Sequence, residues 1–164
     1  MFQKDEFISF GHNGWHKGFY NDEDITESLC NISYTDFFEY PDDDEFPYDL
    51  AITLLRGSCH HFAISLQRVL GYNQYIIRGN NNKGFHAFCQ IYKCGLWYYV
   101  DARGITTSFD EFMTVAKDFV SDEYTISPVT ADIIEEWERD SEYNEEAYAF
   151  AEAIIRKYKS YYTL

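Results

Sequence analysis

The stretch from Gly57 to Asp101 constrains the fold most, because one helical pattern in it is followed by three strand patterns. Cys59, Phe62, Ala63, Leu66, Val69 and Leu70 recur at spacings of three and four. That periodicity predicts a helix with a single apolar stripe, and Gly71 stands where its C-cap belongs. Asn73 to Arg78, Gly84 to Tyr92 and Leu96 to Asp101 are rich in Tyr, Ile, Phe and Trp and read as strands. The connection Lys93-Cys94-Gly95-Leu96 fixes a register. With Cys94-Gly95 as a two-residue hairpin turn, Lys93 pairs with Leu96, Tyr92 with Trp97 and Phe88 with Asp101. Paired residues share a face, as do residues two apart, so His86 and Asp101 become diagonal neighbours on one face. Cys89 then lies on the opposite face and Cys94 at the hairpin tip. A three-residue turn would reverse this parity.

The flanks are less patterned. Tyr48 to Leu55 reads as a short helix that Gly57 breaks. Ser108 and Glu111 form a capping-box signature for a helix running to about Val120. After Ser127-Pro128, helices are expected over Thr130 to Arg139 and from about Glu142 to Tyr161, the second ending among Arg156, Lys157 and Lys159. The first fifty residues read as loops, short helices and at most one irregular strand. The order helix, strands, helices predicts an α+β fold: an antiparallel sheet packed against a central helix that carries Cys59 at its N-terminus, with C-terminal helices. A chain of 164 residues fits one domain. Within it, residues 1–47 are an irregular acidic and aromatic segment, 48–112 the core and 113–164 a helical segment.

Charge narrows the partners. The net charge is −15, from 28 acidic and 13 basic residues, which argues against direct binding of a nucleic acid. Asp36 to Asp49 contains no Lys or Arg, and from Asp132 to Glu152 only Arg139 is basic. Such acidic faces suit solvent or a basic protein partner. No apolar run is long enough for a membrane span. Met1-Phe2-Gln3-Lys4-Asp5-Glu6 does not open a signal peptide. A cytoplasmic location is therefore expected, with Cys30, Cys59, Cys89 and Cys94 as free thiols.

Three local contexts carry chemistry: Gly57-Ser58-Cys59-His60-His61, Gly84-Phe85-His86-Ala87-Phe88 and Trp97-Tyr98-Tyr99-Val100-Asp101. A helix N-terminus and an imidazole favour a thiolate, and a carboxylate that orients the imidazole strengthens the effect. Cys59, His86 and Asp101 are thus the candidate catalytic residues. Arg78 and Arg103 are candidate anchors for a substrate carboxylate, with a structural ion pair as the alternative for each. Cys59, His60, His61, Cys89 and Cys94 are also metal-ligand types. The register sends Cys89 and Cys94 in different directions, and His60 and His61 are expected on different sides of their helix, so neither a metal nor another cofactor is expected.

From about Leu50 to Phe112 the chain resembles the core of the transglutaminase-like, papain-related cysteine hydrolases. Gly57-Ser58-Cys59-His60-His61-Phe62-Ala63 matches the nucleophile helix, Gly71 the glycine after it, and Ile76-Ile77-Arg78-Gly79 the strand that leads to the histidine. Gly84-Phe85-His86-Ala87-Phe88 stands at the His-Ala-aromatic signature and Trp97 to Asp101 at the Trp-x-x-x-Asp ending. The resemblance implies acyl transfer from a protein or peptide amide by a Cys59-His86-Asp101 triad, with water or an amine resolving the thioester. The Cys59 N–H is the expected first oxyanion donor, and Gln3, Gln67 and Gln74 are undistinguished as the second. The competing expectation is a non-catalytic acidic interaction protein, such as a DNA-mimicking anti-defence inhibitor that binds a basic protein surface.

Overall fold

The register set by the Cys94-Gly95 turn is present in the computed structural model of the chain, which describes residues 15–18, 25–81 and 83–164. Lys93 pairs with Leu96, Tyr92 with Trp97 and Cys89 with Val100. Cys94 and Gly95 both take positive φ, 53° and 82°, as a tight hairpin between right-twisting strands requires. The strands are β1 (Trp15–Gly18), β2 (Asn73–Gly79), β3 (Phe85–Lys93), β4 (Leu96–Asp101), β5 (Gly104–Thr106) and β6 (Tyr124–Pro128). They form one antiparallel sheet in the order β1-β5-β4-β3-β2-β6.

The helices are α1 (Ile25–Leu29), α2 (Cys59–Leu70), α3 (Phe109–Ala116), α4 (Ala131–Asp140), α5 (Asn144–Lys157) and α6 (Lys159–Tyr162). Gly71 closes α2 in the left-handed conformation, φ 78°, with its N–H on the Gln67 carbonyl. Together these elements make an α+β fold.

Strand alternation divides the core in two. Ile76, Ala87, Cys89, Tyr98 and Val100 face α2 and α5, packing on Phe62, Ala63, Leu66, Phe150 and Ile154. On the other face Ile77 and Phe88 pack against Phe112, Met113 and Ala116 of α3. His86, paired with Ile77, belongs to this second face and lies 5.7 Å from the Phe112 ring.

Several boundaries differ from the sequence reading. Tyr48 to Leu55 contains only a single 3₁₀ turn, Ala51–Leu54, because the chain leaves it at once for Gly57, whose φ is 114°. The helix after Ser108 stops at Ala116; Ser108 Oγ accepts the Glu111 N–H, so the predicted cap is in place. The predicted C-terminal helix splits at Tyr158, which leaves helical geometry. The break turns α6 inward, where the Tyr162 hydroxyl donates to the Ala102 carbonyl at 2.8 Å. The sheet also gains β5, whose three residues are too short to show alternation, and β6, where Tyr124 and Ile126 alternate with Thr125 and Ser127 before Pro128.

The N-terminal strand has a definite task. Gly18 pairs with Gly104, and a Cβ on Gly18 would lie 2.1 Å from the Arg103 carbonyl oxygen. Only glycine permits that approach, and it brings the buried Trp15 ring over the Arg103 guanidinium at 4.7 Å. Among the described residues, no helix is long and apolar enough to cross a membrane.

Candidate active site

Cys59 is the first residue of α2, and Ser58 at the N-cap position makes no side-chain cap. The Ser58 hydroxyl is instead bonded to Tyr48 Oη at 2.9 Å. A side-chain cap would occupy an N–H of the first turn; here the His61 N–H donates instead to the Ser58 backbone carbonyl at 3.1 Å.

The helix lies on the Ala87–Cys89 face of the sheet, opposite His86, so the thiol does not meet the imidazole across a flat face. It meets it where the sheet splits. The β3–β4 ladder has its last pair at Cys89 and Val100, and beyond it the chain turns through Asp101 into β5. In that opening Ala87 donates its backbone N–H to Cys59 Sγ at 3.2 Å. His86 and Asp101 close the other side of the gap: Nε2 lies 3.0 Å from Asp101 Oδ2, and both residues are buried. The other ring nitrogen, Nδ1, is buried without a hydrogen-bond partner. Cys59 stands near enough to the imidazole to act on its charge.

The carboxylate is anchored more firmly than the sequence suggested. Asp101 Oδ1 accepts the Arg103 backbone N–H and Nε–H, each at 3.0 Å, and Oδ2 accepts Nη2–H at 2.7 Å. The remaining guanidinium donors go to the Phe112 carbonyl at 2.9 Å, Thr114 Oγ1 at 3.2 Å and the Glu111 carbonyl at 3.3 Å. Every donor of the side chain is used. Arg103, 1% exposed, is therefore the structural ion pair and not a substrate anchor. Arg78 is different: it is exposed, makes no ion pair among the described residues and lines a cleft close to the thiol.

The charges are coupled along one line. Burial would raise the Asp101 carboxyl, but Arg103 and then His86 outweigh it and hold the group well below the usual carboxylate range. Burial would likewise lower His86, but the Cys59 sulfur and Asp101 together push it up to about 9. Because the folded value lies above the ordinary 6.5, the stability from the charged ring is fully present below pH 6.5 and lost as the pH rises through about 9. Urea denaturation between pH 6 and 10 should show that loss in the wild type, and His86→Gln should lack it. The comparison matters because Cys89, whose thiol burial pushes well up, adds a loss of its own at high pH. Identical pH profiles for the two proteins would contradict the assignment of a charged His86.

The other sequence candidates are dispersed. Cys89 is buried on the α2 face with its thiol on the Ala63 carbonyl at 3.5 Å, and Cys30 and Cys94 are exposed. Gln67 lies on an exposed position near the far end of α2, and Gln74 is at the start of β2, opposite Cys89. Neither is beside the sulfur, and Gln3 lies outside the described residues. His60 and His61 do not diverge as expected. Their rings are 4.2 Å apart, because both reach the α4–α5 corner, His60 to Ser141 and His61 to Asn144. Burial, then the neighbouring His61, lowers His60 to about 3, so its ring is neutral. No group of three or more His, Cys, Asp or Glu among the described residues is arranged to hold a metal ion.

Sequence reasoning missed the Ala87 N–H on the sulfur and the release of Ser58 to Tyr48, neither of which has a signature in residue type. It also missed the wall made by Phe85 and Trp137, whose rings stack at 5.5 Å and 15°. Cys59 is only 6% exposed, but it opens onto a cleft of about 200 Å³ lined by Gly57, Lys83, Gly84, Phe85 and Phe119. Comparison with protein-family models, with curated proteins and with solved structures finds no significant match.

Proposed function

We propose that this protein is a cysteine-dependent acyl-transfer enzyme of the transglutaminase-like, papain-related kind, acting on an amide through Cys59, His86 and Asp101. The observation that carries the reading is the line of contacts from Cys59 Sγ on the Ala87 N–H, past His86, to Asp101 and Arg103. The sulfur attacks the carbonyl carbon, forming the S–C bond while the Cys59 N–H receives the developing oxyanion. The C–N bond then breaks, and the charged His86 gives its proton to the leaving amine. Water or a second amine attacks the thioester, its proton passes to His86, and the thiolate leaves. Asp101 stays ionised throughout and fixes the ring.

Limited iodoacetamide labelling with peptide mapping is the first test. Accessibility alone would favour Cys30 and Cys94, both exposed, over the 6% exposed Cys59. Preferential labelling of Cys59, lost in His86→Ala, is the expected result, since reactivity follows the local electrostatics of the thiol. Incubation with a cell lysate should then leave an acyl adduct on Cys59, read by intact-protein mass spectrometry and absent in Cys59→Ala. Should Cys30 and Cys94 react first and no adduct form, the acyl-transfer reading is wrong. Binding of a basic protein that persists in Cys59→Ala and weakens with salt would then favour the acidic interaction role.

A further inference from the structure

The cleft at Cys59 runs into a larger one of about 600 Å³, the two sharing Gly57, Lys83 and Phe85. The larger cleft has an apolar side made by the half-buried Phe85 ring and the rim of the buried Trp137, which is packed between Phe85 and His60 at 5.5 and 5.2 Å. Its charges are not evenly placed. Lys83 lines both clefts and Arg78 the larger one, and neither makes an ion pair among the described residues. Glu136 and Asp140 line only the larger cleft, and Asp140 has Arg139 at 3.8 Å. Among the described residues, Lys83 is thus the one charged side chain that lines the cleft at the sulfur, while in the larger cleft Arg78 and Lys83 share the lining with Glu136 and Asp140. The volume is that of a small-molecule site, and its lining mixes Ile76, Phe85 and Trp137 with His60, Ser141 and four charged side chains.

We infer that this cleft is a substrate subsite for a group that joins an aromatic ring to a carboxylate, the ring packing against Phe85 and the rim of Trp137 and the carboxylate meeting Arg78 and Lys83. The inference rests on the acyl-transfer reading, and it names the substrate class as aromatic amino-acid amides or peptides with a nearby anionic group.

The test is alkylation of Cys59 by four chloroacetyl reagents: chloroacetamide, N-chloroacetyl-phenylalanine, its neutral amide, and N-chloroacetyl-arginine amide. In each, the sulfur–carbon bond forms as the carbon–chlorine bond breaks; chloride leaves and the thiol proton goes to solvent. Rates are read by mass spectrometry of the Cys59 adduct. The phenylalanine carboxylate should react about ten-fold faster than its amide, the effect of one charge-assisted contact. Arg78→Ala/Lys83→Ala should erase that difference when each rate is taken relative to chloroacetamide on the same variant; both residues are exposed, so the fold should survive. Trp137→Ala should slow both phenylalanine reagents. If chloroacetamide itself fails to modify Cys59, the reactive-thiol reading falls. A normal chloroacetamide rate with no carboxylate preference, or with the arginine amide fastest, overturns the subsite alone.

Discussion

Arg103→Met is expected to destabilise the protein by about 3–5 kcal/mol, the usual consequence of removing one partner of a buried ion pair. Asp101, 3% exposed, would be left with its charge and no guanidinium. It would then take up a proton in the range where carboxyls ordinarily titrate or above it, and His86 would lose the carboxylate that helps to keep it charged. Arg103→Lys should rescue little, because an ammonium cannot bridge Oδ1 and Oδ2 while also reaching Glu111, Phe112 and Thr114. The double variant Asp101→Asn/Arg103→Met removes both charges and should be more stable than Arg103→Met alone. Urea denaturation at pH 7 measures all three. A loss below about 1 kcal/mol for Arg103→Met would place the pair among ordinary surface bridges and end its role as the anchor of the site.

The same pair shows what was legible beforehand and what was not. Taking Cys94-Gly95 as a two-residue turn put His86 and Asp101 on one face, where they meet, although the expected Phe88–Asp101 pair is not formed and the ladder ends at Cys89 and Val100. Helix α2 was equally plain, since six apolar positions at helical spacing end on a glycine. Hidden instead was everything that depends on which sheet face the helix covers. The periodicity of α2 gives it an apolar stripe without saying whether that stripe meets the Ala87 or the His86 side. The thiol's approach through the split end of the sheet was therefore not deducible. Arg103 was ambiguous for a similar reason: a guanidinium two residues from a carboxylate is compatible with a surface bridge, a substrate anchor or a buried clamp. Burial decides among them, and burial here comes from Trp15 and Gly18, about ninety residues away in a segment without periodicity. The neighbouring histidines failed in the opposite direction. Adjacent helix positions normally diverge, but a single corner, Ser141 to Asn144, receives both rings.

Cys59→Ala and His86→Ala should each lower turnover of the amide identified by trapping by about 10⁴–10⁶-fold, and the double variant should be no worse than either. Non-additivity follows from the proposed mechanism, in which the sulfur is the nucleophile that His86 serves and His86 protonates the departing amine. Asp101→Ala should retain more activity than either, provided the assay is run well below its unfolding transition, because its loss also strands the buried Arg103. The leaving group gives a further discrimination. A p-nitrophenyl ester expels a stable phenolate that needs little protonation, so His86→Ala should lose far less on the ester than on the amide, whereas Cys59→Ala should lose both. Independent, additive losses, or equal sensitivity of ester and amide to His86→Ala, would separate His86 from leaving-group protonation. Its bond to Asp101 would then be explained by the stability of the sheet's split end, the one place where β3 gives its N–H to a sulfur instead of to β4.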